Sequence, residues 1–96
     1  MKTPADCQNI TEIRNEIDHI DRSILELLSH RQEFVEAIVK FKTDQDSVIA
    51  HERQMEVYAK RRQWATELGL DPDFIEKIFK QLVHHNIEKE LRLLKK

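Results

Sequence analysis

The sequence predicts an all-α protein of three helices whose long first helix pairs with a second copy of the chain. Three observations predict it. The 96 residues contain one Gly and two Pro, too few turn formers for an all-β domain. Apolar residues make up 40% and charged residues 35%, which is too apolar and too regular in pattern for a disordered chain. Apolar residues also recur three and four apart from Ile10 to Phe41, the spacing of a coiled-coil seam.

The first helix is expected over residues 10–42. Its seam is Ile10, Ile13, Ile17, Ile20, Ile24, Leu27, Phe34, Ile38 and Phe41, with Arg31 filling the one polar step. Residues 43–49, which include Thr43-Asp44-Gln45-Asp46-Ser47, read as a mobile loop. The second helix is expected over 50–68, with a modest stripe of Met55, Tyr58, Ala59 and Trp64, and Gly69 supplies the left-handed residue that ends it. The third is expected over 72–94. Asp71 is its N-cap, Pro72 its first residue, and Phe74, Ile75, Ile78, Phe79, Leu82, Val83, Ile87, Leu91 and Leu94 its apolar face.

Ninety-six residues make one domain, 1–96, and a monomer that small is marginal. A helix over 10–42 would be roughly 50 Å long, against a radius of gyration near 13 Å for a compact chain of this size. Its bare seam calls for a partner, and a homodimer is the economical one. The single Cys7 excludes an internal disulfide and a Cys-x-x-Cys zinc site. A net charge of −2 argues against nucleic-acid binding by bulk positive charge. No apolar run is long enough to span a membrane, and the N-terminus lacks the apolar core of a signal peptide, so a cytoplasmic protein is expected.

Arg31 is the most informative residue. A guanidinium on an apolar seam is costly unless an anion meets it. Either an intersubunit salt bridge or a pocket for an anionic ligand would answer that need. Lys42 stands eleven residues on, about three turns plus 20° along a continuous helix, so the two cations would share a face. Alternatively Lys42 is a C-terminal cation that complements the helix dipole. Arg14, 17 residues before Arg31, lies about 25 Å away on another face. It would reach the same ligand only from an antiparallel partner helix; otherwise it is a solvated flank. Glu90 borders the apolar face of the third helix, three residues after Ile87. There it is either paired with a cation or raised in pKa by desolvation. His84 and His85 are adjacent and diverge by about 100°, a poor metal pair, and no metal is expected.

Taken together, Ile13-Arg14-Asn15-Glu16-Ile17-Asp18-x-Ile20-Asp21, Leu27-Leu28-x-x-Arg31, Lys42, Glu52-Arg53, Gly69-Leu70-Asp71-Pro72 and Phe74-Ile75-x-x-Ile78-Phe79 resemble the all-helical chorismate mutase family over essentially the whole chain. Lys2-Thr3-Pro4-x-Asp6-Cys7, the short loop after Lys42, Arg62-x-Trp64-Ala65 and Gly69-Leu70 are similar to one branch of it, the isochorismate-pyruvate lyases of salicylate and siderophore synthesis. The resemblance implies an intertwined homodimer of helical bundles with two equivalent sites, each taking an arginine from the other chain. It implies that Arg14 of the partner chain and Arg31 bind the substrate's two carboxylates, a task suited to guanidinium forks. It gives Lys42 the ether oxygen whose C–O bond breaks and Glu52 the ring hydroxyl. Arg53 and Asn86 become further polar contacts. Many members have Gln where this chain has Glu90, and some mutases have Glu. Gln donates to an ether oxygen at any pH, Glu only when protonated. His85-Asn86 replaces a bulkier, aromatic pair of the lyase branch.

The implied chemistry is pericyclic and needs no cofactor. The substrate is isochorismate, split to salicylate and pyruvate, with chorismate rearranged to prephenate as a secondary activity. A dedicated chorismate mutase is the alternative within the class. Outside it, a non-catalytic helical dimer acting as an adaptor or regulatory module would use Arg14, Arg31 and Lys42 as salt bridges.

Overall fold

The computed structural model describes residues 2–95, and all its regular structure is helical. The chain divides into two compact units, the first ending at Phe34 and the second beginning at Val35.

The first unit opens with a 3-10 turn over Pro4–Asp6. The Asp6 carboxylate accepts the Thr3 hydroxyl at 2.8 Å and the Thr3 N–H at 3.2 Å. The long helix α1 spans Ile10–Ile38. Its start is fixed by two bonds: the Asn9 side-chain oxygen accepts the Glu12 N–H at 2.9 Å, and the Glu12 carboxylate reaches back one residue further, to the Gln8 N–H at 2.7 Å. That N–H and then the Lys2 ammonium, 3.1 Å away, hold the Glu12 carboxyl below its usual range. None of the described side chains of α1 is buried. The apolar seam residues from Ile10 to Leu27 are open to solvent, Ile10 by 60% and Leu27 by 67%.

The second unit departs from expectation where the first helix ends. The α-helix stops at Ile38 and tightens into a 3-10 turn over Val39–Phe41. Lys42 follows in extended backbone at φ −97°, its N–H bonded to the Val39 carbonyl. It is therefore not a helical residue, and the helical-face relation to Arg31 expected from an unbroken helix over 10–42 does not apply. A final 3-10 turn is a common way for a helix to use up its last carbonyls, and its short period leaves the apolar spacing at Ile38 and Phe41 intact.

A second departure follows at once. Residues 43–49 hold a short helix, α2, over Gln45–Ile49. Asp44 caps it, accepting the Ser47 N–H at 2.8 Å. Ala50, in the left-handed region at φ 44°, ends α2 and begins α3, His51–Glu67. The end of α3 is as expected. Gly69 at φ 74° lets the Leu70 N–H return to the Ala65 carbonyl at 2.8 Å and its own N–H to Thr66, a Schellman closure. Helix α4, Pro72–Leu94, starts with Asp71 accepting the Asp73 N–H and Pro72 in its first position.

The buried apolar side chains are Val48, Val57, Tyr58 and Ala65. The stripe foreseen for α3 was thus only partly right. Tyr58 is buried, but Met55 is 62% exposed, and Val57 and Ala65 take the inner positions. Helix α4 packs against α3, and also against α2 and the 3-10 turn before it. Arg61 joins α3 to α4 by stacking between Trp64 (4.7 Å) and Phe79 (5.5 Å). Arg62 adds a bond of 2.9 Å to Asp73, which holds its guanidinium above the usual arginine value. Among the described residues, no helix is long and apolar enough to cross a membrane.

Candidate active site

Two polar side chains are buried among the described residues, and both lie on α4. They are Asn86, 8% exposed, and Glu90, 7% exposed. Four residues apart, they sit one above the other on a single helix face. That face continues Leu82, Val83 and Ile87, so the apolar pattern that packs α4 also carries an amide and a carboxyl inward. Burying such groups is unfavourable unless they find polar company. Both make polar interactions within the chain.

Lys42 lies between two elements that pack on the same helix. The 3-10 turn just before Lys42 packs on α4, as does α2 beyond it. The ion pair Lys89–Glu36, 2.6 Å, ties the Asn86–Glu90 turn of α4 to the last turns of α1, a few residues before Lys42. The Lys42 side chain is half-buried, and its ammonium donates to the Ser47 carbonyl at 2.5 Å. An ammonium has three donors, so this bond leaves two free for a ligand.

The other expected residues are less gathered. Glu52 and Arg53 lie exposed on the first turn of α3, where Arg53 pairs with Glu56 at 3.5 Å. Arg14 and Arg31 belong to the first unit. Arg14 is exposed on α1, whereas Arg31 is half-buried beside isoleucines that are themselves more open. Asn86 and Glu90 are thus buried on α4, Lys42 stands between two elements that pack on that helix, and the two arginines stand on α1.

Sequence reasoning missed the roles of three residues here. Asp44 and Ser47 form the capping box of α2, and the signal was present as Asp-x-x-Ser, although the segment reads first as a breaker. Tyr58 is the other surprise. Its hydroxyl is buried and makes no hydrogen bond among the described residues. Nothing in an i, i+3 stripe distinguishes such a phenol from any other core aromatic.

The architecture defines an all-α protein whose polar chemistry sits on helix faces and on one lysine-bearing turn. Residues 13–91 match the family described as Chorismate mutase type II, and the chain belongs to that family, an enzyme family of pericyclic chemistry. It is 38% identical over 92 residues to the isochorismate pyruvate lyase of Pseudomonas aeruginosa, covering 96% of this chain and 91% of that one. It is 31% identical over 80 residues to the chorismate mutase of Methanocaldococcus jannaschii, covering 82% of this chain and 81% of that one. It is also 30% identical over 82 residues to the T-protein of Enterobacter agglomerans, of which it spans 22%.

Proposed function

We propose that the protein is an isochorismate-pyruvate lyase with a weaker chorismate mutase activity. The observation that carries this reading is the 38% identity to an isochorismate pyruvate lyase across 96% of the chain. In the lyase reaction the ring C–O bond breaks, its oxygen leaves as the keto oxygen of pyruvate, and a ring hydrogen moves to the enolpyruvyl methylene. The ring becomes salicylate.

Arg31 and the partner chain's Arg14 bind the two carboxylates as planar forks. Lys42 meets the ether oxygen as it gains negative charge, and Glu90, when protonated, donates to the same oxygen. Asn86, Glu52 and Arg53 orient the ring. Rate comes from holding a reactive conformer and from charge placed at the breaking bond. The site is shared because each chain pairs its α1 with a second copy. The exposed Ile10, Ile13, Ile17, Ile20, Ile24 and Leu27 support that pairing.

A second reading, a dedicated chorismate mutase, is favoured by the likeness to the Methanocaldococcus jannaschii enzyme and by the carboxyl at Glu90. Purified protein incubated separately with the two substrates decides between them. Salicylate fluorescence from isochorismate, faster than prephenate formation from chorismate, is the expected result. Prephenate alone would give the second reading. Turnover of neither would leave the non-catalytic helical dimer.

A further inference from the structure

The segment between Lys42 and Ala50 holds the lysine through one carbonyl. Because Lys42 stands in extended backbone, no helix sets the direction of its side chain. Its ammonium is instead aimed by one acceptor, the Ser47 carbonyl at 2.5 Å. That carbonyl is available because α2 has five residues and Ala50 turns away at φ 44° before the next turn forms. The last carbonyls of so short a helix need partners from outside it. Two side chains answer: Lys42 takes Ser47, and the Gln54 amide takes Ile49 at 2.8 Å.

Ser47 is itself fixed. Its N–H donates to the Asp44 carboxylate at 2.8 Å and its hydroxyl to the Asp44 carbonyl at 2.9 Å. The next residue, Val48, is buried. The carbonyl that receives Lys42 therefore sits between a capping box on one side and a core anchor on the other.

We propose that Asp44 and Ser47 are positioning residues, the capping box of α2 holding the Ser47 carbonyl so that it aims the Lys42 ammonium. This rests on the role given to Lys42 above. Asp44 touches no substrate in this scheme; it acts through Ser47. One of the three ammonium donors is spent on the carbonyl, and the remaining two are held in a fixed direction toward a ligand. Such preorganisation raises turnover more than it tightens binding.

The test pairs chemical labelling with kinetics in Asp44→Ala, Asp44→Asn and Lys42→Ala. N-hydroxysuccinimidyl acetate is applied to the intact protein, and acetylation of Lys42 is followed by peptide mapping, with the exposed Lys40 as internal reference. Loss of the cap in Asp44→Ala should raise the Lys42-to-Lys40 rate ratio about fivefold, the shift expected from one missing N-cap. It should lower kcat on isochorismate and on chorismate by about tenfold, with KM changed less. Asp44→Asn should restore both, since Asn caps as well as Asp. An unchanged labelling ratio in Asp44→Ala overturns the proposal without reference to activity. A raised ratio with unchanged kcat, while Lys42→Ala is inactive, overturns the positioning role. Full turnover in Lys42→Ala places the failure in the role of Lys42, and the positioning role falls with it.

Discussion

Val48→Ala tests whether α2 opens separately from the rest of its unit. Val48 is the one buried residue of that helix, 4% exposed. The substitution removes two methyl groups. At about 0.8 kcal/mol per buried carbon the loss is about 1.6 kcal/mol, and a five-residue helix can settle to close most of the gap. At 1.4 kcal/mol per decade this corresponds to about 14-fold in the equilibrium between docked and detached α2. Native-state hydrogen exchange reads that equilibrium directly. The informative amides are Ser47, bonded to the Asp44 carboxylate, and Ala50, bonded to the Asp46 carbonyl at 2.9 Å. They should exchange about 14-fold faster in Val48→Ala, while amides in the middle of α4, such as Leu82, keep their rates. Equal acceleration in α4 would show that α2 opens only with the whole unit. No acceleration at Ala50 would show that the Val48 contact is not what holds α2 down. Either result refutes the reasoning.

Other consequences are open to measurement. Ala50→Gly removes the Cβ from a left-handed residue at φ 44°; net of the entropy glycine adds to the unfolded chain it should gain about 0.5 kcal/mol, raising Tm by about 3 °C, and a fall in Tm would contradict it. The Ser47 N–H, followed by its hydroxyl, holds the Asp44 carboxyl below the usual aspartate range. A depressed carboxyl stabilises the fold above its unfolded value and ceases to as pH falls through the native one, so the Ser47 amide signal should titrate with a midpoint below that of an ordinary aspartate and stop doing so in Asp44→Asn. If protonated Glu90 donates to the ether oxygen, turnover falls as pH rises, and Glu90→Gln should flatten that limb for the mutase reaction; an identical profile would make Glu90 peripheral. Arg14→Ala and Lys42→Ala, each nearly inactive alone, should recover roughly a quarter of full activity per chain when refolded together, because half the dimers are mixed and each mixed dimer has one intact site. No recovery despite proven subunit exchange would refute the shared site.

Local chemistry made some of this legible in sequence and hid the rest. Asp71-Pro72 and Gly69 declare a helix start and a helix stop through groups that act on their own backbone, and both lie where expected. The end of α1 is different. Apolar spacing continues through Ile38 and Phe41 whether the backbone is α-helical or 3-10, so periodicity alone cannot mark the change, and Lys42 was assigned to a helix it does not join. Helix α2 is shorter than any window in which a period can be counted, and its only signal is the Asp44–Ser47 cap. At the site, Glu90 was legible as a carboxyl bordering an apolar face, and burial brings it and Asn86 inside. The Lys42–Ser47 bond was not legible, because it depends on a main-chain carbonyl freed by a left-handed alanine.

The unburied first helix bears on how long a molecule survives. With 29 residues and no buried side chain among those described, α1 gains little from its own chain. Whatever covers the Ile10–Leu27 seam supplies the missing stability, and under the proposed pairing a second copy would supply it by mass action. Resistance to proteolysis then rises with the amount of protein present. A dilute population would be cleared faster per molecule than a concentrated one, so the steady level would respond more steeply than synthesis rate alone dictates.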